Sequence, residues 1–184
     1  MAGLLDEAAS DKPAPGGGSI AAIALAMAAA LAEKSAVFSH NWAEAPGAVA
    51  QARAMRTRAL DLAEEDAIAY GDVISAMRST KDQPKERRDF ELGQALSLAA
   101  ETPLVIAEKA VDVAELAATA AENGNPNLRG DAAAGATLAA GAARAAANLV
   151  EINLSMKPDD PRVARARAAV TAADEAARRA LRPA

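Results

Sequence analysis

The sequence predicts an all-α bundle of about five to six helices, and three observations lead to this prediction. Of the 184 residues, 55 are alanine, which has the highest intrinsic helix propensity. Aromatic residues make up only 2%, so the chain lacks side chains that β-sandwiches and barrels draw on. Glycine, proline and polar residues gather at a few points and leave long uninterrupted segments between them. A chain of this length is about one domain, so residues 1–184 are expected to form a single all-α unit.

These clusters of glycine, proline and polar residues set the predicted helix boundaries. The predicted helices run over residues 19–38, 48–77, 86–123, 131–156 and 161–179. Pro103 lies inside the third predicted helix. Because the residue before a proline disfavours the α conformation, we expect a kink or break near 101–102.

The first predicted helix is apolar on nearly all sides. Ile20, Ile23, Met27 and Leu31 follow the spacing of one helix face. A helix that is apolar all round is normally buried, and a small bundle has too little interior to bury it. We therefore expect a homodimer with the first or fourth predicted helix in the interface.

Composition and charge exclude several classes of protein. The chain has no cysteine and one histidine, which excludes a disulfide framework, a thiolate nucleophile and a cysteine or multi-histidine metal site. The net charge is -5, and the arginine-rich C-terminal segment has no aromatic partners, so no nucleic-acid partner is expected. The uncharged stretch 13–32 begins with prolines and glycines, which leaves too short a helix to span a bilayer. The acidic N-terminal segment is unlike a signal peptide. We expect a cytoplasmic protein with no membrane partner.

The turn before the first predicted helix contains Gly16, Gly17 and Gly18, followed by Ser19. The backbone N–H groups of a helix N-terminus attract an anion, so this turn is a candidate anion site. No Gly-Lys-Ser/Thr follows, which excludes a nucleotide P-loop. The alternative is that the glycines only let the backbone turn and pack closely.

An acidic run in the second predicted helix contains a candidate general base. Asp66 shares a face with Leu62 and Tyr70, whereas Glu64 and Glu65 can point to solvent. A carboxylate that faces an apolar environment is suited to accept a proton.

A series of polar residues precedes and enters the fourth predicted helix. Its members are Asn125, Asn127, Asp131, Asn148 and Asn153. Asparagine is unfavourable inside helices, so the presence of Asn148 and Asn153 within a predicted helix needs an explanation. Hydrogen bonds between helices and contact with a ligand are the two alternatives.

Five short motifs occur together along the chain. They are Pro15-Gly16-Gly17-Gly18-Ser19, Asp66-Ala67-Ile68-Ala69-Tyr70, Thr102-Pro103-Leu104, Gly124-Asn125-Pro126-Asn127 and Ile152-Asn153-Leu154. In this order and spacing, over about residues 4–180, the chain resembles the formiminotransferase-cyclodeaminase C-terminal family. That family includes cyclodeaminase domains and stand-alone methenyltetrahydrofolate cyclohydrolases. The resemblance implies an all-α bundle that dimerises and binds one-carbon derivatives of tetrahydrofolate, with no metal and no further cofactor.

The resemblance also implies roles for individual residues. Asp66 corresponds to the acidic residue associated with activity, and Lys81 would hold the intermediate or the glutamate tail of the folate. The remaining predicted positions would contact the substrate: Gly16, Gly17, Gly18, Ser19, Asn125, Asn127, Asp131, Asn148 and Asn153.

The reaction that we expect is hydrolysis of 5,10-methenyltetrahydrofolate to 10-formyltetrahydrofolate. The absence of a formiminotransferase domain from these 184 residues favours it over the first alternative, a formiminotetrahydrofolate cyclodeaminase that releases ammonia. The second alternative is a non-catalytic or repurposed helical member of the family. Lys34, which stands with Glu33 where the family has small or apolar residues, favours this second alternative, as does Asn148, which falls one position early.

Overall fold

The computed structural model describes residues 2–183, and within this range it contains helices and no strand. The helices are α1 (Ala2–Ala8), α2 (Gly17–Val37), α3 (Ala45–Ser79), α4 (Lys85–Ala99), α5 (Glu101–Asn123), α6 (Arg129–Asn153) and α7 (Pro161–Ala180). One turn of 3-10 helix, Pro126–Leu128, precedes α6. The all-α prediction is therefore confirmed.

The predicted boundaries agree with most of these helices to within two residues and differ by more than that at three places. The expected break occurs at Ala100, between α4 and α5. The prediction missed the short helix α1. It also began the second helix three residues late, because it assigned Pro46 to a loop, whereas Pro46 lies in the first turn of α3. A proline is favourable there because the N–H groups of a first turn have no partner within the helix. The helix α6 ends at Asn153, three residues before the predicted end.

The helix α2 lies at the centre of the bundle and packs against α3, α5 and α6. Most of its inward-facing residues are alanines, together with Leu25, and they are buried. Such small side chains let the neighbouring backbones approach closely. On α6, a Cβ added to Gly135 would lie 3.0 Å from the carbonyl oxygen of Ala28. The expectation that α2 is too short to span a bilayer was wrong, because it continues to Val37 and by length and composition is able to cross a membrane. Its central position in the bundle accounts for the same apolar composition.

Contacts at the two ends of α2 show that α3 and α6 both run antiparallel to it. At its N-terminal end, Ser19 contacts Asp66 of α3. At its C-terminal end, Glu33 accepts hydrogen bonds from Arg53 and Arg56 of α3, at 3.0 Å and 3.1 Å. These two bonds give the basic first half of α3 a structural role.

The same antiparallel order holds for α6. Gly17 lies beside Leu149 at one end, and the Lys34 ammonium pairs with Asp131 at 2.6 Å at the other end.

An apolar surface remains uncovered on the outer side of α2 and α6. Met27 is 50% exposed, Ile20 is 37% exposed and Leu138 is 40% exposed. We call this surface the outer α2–α6 face, and its residues are Ile20, Ile23, Met27, Leu31, Ala134, Leu138, Gly141, Ala145 and Ile152. The apolar stripe that the sequence indicates on α2 thus lies outside the core of the single chain.

The close approach of α2 and α6 predicts opposite effects for two glycine-to-alanine changes. Gly135→Ala places a methyl group 3.0 Å from a backbone oxygen and 3.3 Å from the Cβ of Leu31, so it should lower the free energy of unfolding by about 1–3 kcal/mol. Gly71→Ala, exposed on α3 with no atom within 4 Å of the new Cβ, should raise it by up to ~1 kcal/mol. Urea denaturation at one protein concentration measures both, and equal effects would contradict this packing.

Candidate active site

The Asp66 carboxylate lies at the N-terminus of α2. The Ser19 hydroxyl donates a hydrogen bond to Oδ2 at 3.0 Å, and the backbone N–H of Ser19 also donates to this carboxylate. The residue at the N-cap position of α2 is Gly16, which has no side chain to accept a hydrogen bond. Because the first N–H groups of a helix have no partner within it, Asp66 supplies from α3 the acceptor that the N-cap residue lacks.

Gly18 makes this contact possible. A Cβ at this position would overlap the carboxyl group of Asp66, including both of its oxygens. A Cβ at Gly17 would meet only Cδ1 of Leu149, at 3.9 Å, which is an ordinary van der Waals distance. The candidate anion site at the glycine turn therefore holds an anion from the chain itself, and Gly18 is the glycine that its approach requires.

Burial raises the pKa of the Asp66 carboxyl group above its ordinary value, while the hydrogen bonds from Ser19 act in the opposite direction. Burial disfavours the charged form, and the donors at the helix N-terminus favour it. The result is a carboxylate with a stronger affinity for protons than that of an exposed aspartate. This property is the one required of a general base.

Asp66 lines a cavity of about 290 Å³ between α2, α3, α6 and the junction of α4 with α5. The wall is mainly apolar and carries one carboxylate and one carboxamide. The other lining residues are Pro13, Gly16, Gly17, Gly18, Ala69, Tyr70, Ala99, Pro103, Leu149, Ile152 and Asn153. Within residues 2–183, no lysine, arginine or histidine lines this cavity.

Six of the predicted site residues come together here: Gly16, Gly17, Gly18, Ser19, Asp66 and Asn153. The Asn153 Nδ2 donates to the carbonyl oxygen of Ala99 at 3.0 Å, so Asn153 both joins two helices and lies on the cavity wall. Leu149 and Tyr70 also line the cavity, and they are not among the predicted site residues. The position of Tyr70, one helical turn after Asp66, was the available signal.

Asn125 and Asn127 lie at the opposite end of α2. The backbone N–H of Asn125 donates to Ser39 Oγ at 2.8 Å, and its Nδ2 donates to the carbonyl oxygen of Phe38 at 3.0 Å. Its Oδ1 accepts from the backbone N–H of Asn127 at 3.0 Å. Since α2 has 21 residues, these groups lie roughly 30 Å from Asp66 within one chain.

The other predicted site residues also lie away from the Asp66 cavity. Asp131 pairs with Lys34 near the same far end of α2. Asn148 is exposed on α6 in a shallow site beside Arg144 and Arg167. Lys81 is exposed in the loop after α3, which places it about 20 Å from Asp66 along that helix. A single chain does not unite these residues with Asp66, and their contact with a substrate stays a prediction.

The expected orientations of the neighbouring acidic residues agree with the structure. Glu64 and Glu65 are exposed, and Glu65 pairs with Arg58, whereas Asp66 is half-buried. Four residues before Asp66, Leu62 is fully buried. The face of α3 that contains Asp66 is therefore the face turned toward the bundle.

A second, more open cleft of about 950 Å³ lies beside Trp42. Of its three acidic residues, Glu44, Asp112 and Glu115, the last two pair with Lys109 and Arg179, at 3.0 Å and 2.7 Å. In the described part of the chain, no three histidine, cysteine, aspartate or glutamate side chains are grouped as metal ligands. The Asp66 cavity is the stronger candidate because it combines a buried proton acceptor with an enclosing apolar wall.

The contact between Gly18 and Asp66 predicts different outcomes at two adjacent glycines. Gly18→Ala should displace the carboxylate from the helix N-terminus and reduce any Asp66-dependent activity by about 10²-fold or more, the usual contribution of a positioned proton acceptor. Gly17→Ala should change that activity only slightly, because its Cβ has room. Steady-state kinetics with circular dichroism as the folding control measures both, and equal losses in the two variants would argue against this geometry.

Comparison with known proteins agrees with the fold and with the family that the sequence resembles. The family described as formiminotransferase-cyclodeaminase matches residues 1–172. A methenyltetrahydrofolate cyclohydrolase from Methylorubrum extorquens is 31% identical over 159 residues, which cover 82% of this chain and 76% of that protein. A crystal structure of formiminotetrahydrofolate cyclodeaminase from Thermotoga maritima superposes with a TM-score of 0.83 at 27% identity, over 96% of this chain and 90% of that one. The chain therefore belongs to the formiminotransferase-cyclodeaminase family.

Proposed function

We propose that the protein hydrolyses 5,10-methenyltetrahydrofolate to 10-formyltetrahydrofolate, with Asp66 as the general base. The observation that carries this proposal is the half-buried Asp66 carboxylate, which is fixed at the N-terminus of α2 and faces an apolar cavity. The similarity to a protein named methenyltetrahydrofolate cyclohydrolase supports the choice of reaction.

The proposed reaction proceeds in two steps. The methenyl carbon carries positive charge, and the Asp66 carboxylate stabilises this charge electrostatically. A water molecule adds to that carbon, its oxygen forms the new bond, and its proton passes to Asp66. The bond between the carbon and N5 then breaks, the electron pair remains on N5, and Asp66 returns the proton to it. The hydroxyl group on the carbon loses its proton to solvent as the formyl C=O bond forms, so the reaction releases one proton overall. The formyl group stays on N10.

No metal ion or organic cofactor is part of this proposal, because the methenyl carbon is already electrophilic. We also propose that the protein acts in the cytoplasm without a nucleic-acid or membrane partner. Its mixed surface charges and its net charge of -5 support that part of the proposal.

The second candidate function is a formiminotetrahydrofolate cyclodeaminase, which the name of the structural relative favours. In that reaction a folate nitrogen attacks the formimino carbon and ammonia leaves. Asp66 would be suited to move protons in this reaction also. Release of ammonia from the formimino compound, with no hydrolysis of the methenyl compound, would favour this alternative. Binding of folate without either reaction would favour a non-catalytic member.

We further propose that the protein is a homodimer. The support is the outer α2–α6 face, where Met27, Ile20 and Leu138 are exposed in the single chain. Large apolar side chains grouped in this way are typical of a surface that another molecule covers. The expected mass by light scattering at micromolar concentration is twice the chain mass of 18.6 kDa. A mass of one chain would contradict the dimer.

The assignment of Asp66 predicts a large effect for a nearly isosteric substitution. Asp66→Asn keeps an oxygen that accepts the Ser19 hydrogen bonds but removes the proton acceptor, so the rate should fall by about 10²–10⁴-fold. Loss of methenyl absorbance measures the rate, and the wild-type rate should not change with a chelator.

The matched control for Asp66→Asn is Glu64→Gln, on the same helix but with an exposed side chain. It should retain nearly full activity. Equal rates for the wild type and Asp66→Asn, or equal losses in the two variants, would remove Asp66 from the mechanism.

A further inference from the structure

We propose that the Asp66 cavity is completed by a second copy of this chain, which contributes its Lys34 and Phe38 to the substrate site. This inference rests on the proposed function for the identity of the substrate. It goes beyond that function by assigning substrate contacts to two residues that lie at the far end of α2 from the cavity in their own chain.

The cavity of one chain lacks a cation for the glutamate tail of the substrate and lacks the surface to enclose its whole ring system. A tetrahydrofolate derivative has a bicyclic ring, an aromatic linker and a glutamate tail with carboxylates. The cavity volume of about 290 Å³ is at the lower end of the range for small-molecule sites. Tyr70 is the one aromatic side chain in its described lining, which also contains no cation. Both the anionic tail and part of the ring system would therefore extend beyond the wall of one chain.

The cavity opens at one end of the outer α2–α6 face. Gly16 and Ile152 belong to the cavity lining, and Ile20 and Ile152 belong to that face. Two adjacent helices of about 30 Å in length, roughly 10 Å apart, present a surface of about 600 Å². Two such surfaces bury about 1,200 Å² in total, which is the lower limit of a standard specific interface. A second copy of the same face is the occupant that matches its area and apolar character.

We place the two-fold axis at Met27, because it is the most exposed large apolar side chain that α2 contributes to the outer α2–α6 face, and this axis sets the register of the interface. In a two-fold interface, a residue on the axis meets its own copy, and the contacts on either side are reciprocal. Met27 is the middle residue of α2, Gly17–Val37, and is half exposed. With the two α2 helices antiparallel, Ile20 faces the partner's Lys34 and Gly16 faces the partner's Phe38. In this arrangement the dipoles of the two α2 helices lie antiparallel, which is electrostatically favourable.

The chemistry of the two contributed residues matches what the cavity lacks. Lys34 lies seven residues after Met27 and fourteen after Ile20, so all three side chains project from the same face of α2. The Lys34 side chain is 52% exposed. Its ammonium pairs with Asp131 at 2.6 Å, which leaves other N–H donors for a substrate carboxylate. Phe38 is 51% exposed. Its ring can pack against the flat part of the substrate.

Cysteine cross-linking tests the geometry without reference to activity. Because the chain has no native cysteine, any disulfide must form between the introduced cysteines. Met27→Cys alone should form a disulfide-linked dimer under mild oxidation. Ile20→Cys and Lys34→Cys should cross-link when mixed but not separately, because each position is about 21 Å from its own copy, far beyond the ~7 Å between Cα atoms that a disulfide tolerates. Cross-linking of Ile20→Cys alone, or none from Met27→Cys, would overturn the register.

A heterodimer of an inactive variant and a weakly binding variant tests the shared site. Lys34→Gln should raise KM about tenfold or more with little change in kcat, since it removes a charged hydrogen-bond donor to the substrate. Asp66→Asn and Lys34→Gln chains carrying different tags are co-expressed, and the heterodimer is isolated. One of its two sites then combines Asp66 of one chain with Lys34 of the other, so the activity at low substrate should be about half that of the wild type.

A control variant makes the outcome decisive. Lys109→Gln removes a similarly exposed lysine that pairs with Asp112 on α5, and its KM should be unchanged. If Asp66 and Lys34 act within one chain, the activity of the heterodimer will not exceed the average activity of the two parent homodimers. If Lys34 has no role, the KM of Lys34→Gln will match that of Lys109→Gln. Either result overturns the inference. If the wild type binds the methenyl compound without hydrolysing it, the proposed function fails, and the cross-linking pattern together with the KD of Lys34→Gln still decides the shared site.

Discussion

The contact between the Asp66 carboxylate and the N-terminus of α2 links the fold of this protein to its proposed chemistry. It requires a residue without a Cβ at Gly18, a donor at Ser19 and an α3 that runs antiparallel to α2. Burial alone would favour the neutral acid, and the helix N–H groups restore part of the stability of the charged form. The balance between these two effects keeps a proton acceptor inside an apolar cavity.

The same balance has a consequence for stability. A carboxyl group whose pKa rises on folding binds its proton more tightly in the folded chain than in the unfolded chain. The folded chain therefore loses stability as the pH rises from the ordinary pKa of an aspartate to the higher pKa of Asp66 in the folded chain. Asp66 thus carries a cost at neutral pH that a purely structural residue would not need to carry. The alanine-rich contacts of α2 with α5 and α6 offset this cost by close packing along the whole helix.

The sequence contained enough information for the helices and for the orientation of Asp66, but not for the distribution of the site. Glycine and proline clusters mark the helix ends, and helical spacing places Asp66 with Leu62 on the inward face. Spacing along one helix does not reveal which end of a neighbouring helix a residue meets. The antiparallel packing of α2 with α3 and α6 leaves Asn125 and Asp131 far from Asp66, and the sequence pattern held no signal for that separation. The anion at the glycine turn was also beyond prediction, because it belongs to a residue 48 positions after Gly18.

The most direct test of the account is the pH dependence of kcat/KM in the wild type and in Ser19→Ala. The reaction needs the Asp66 carboxylate, so the rate should fall as the pH drops through its pKa. The Ser19 hydroxyl donates to that carboxylate and lowers its pKa, so its removal should raise the pKa and move the acid limb of the profile to higher pH. An acid limb at the same pH in both proteins would contradict the claim that Asp66, held by the N-terminus of α2, is the catalytic base.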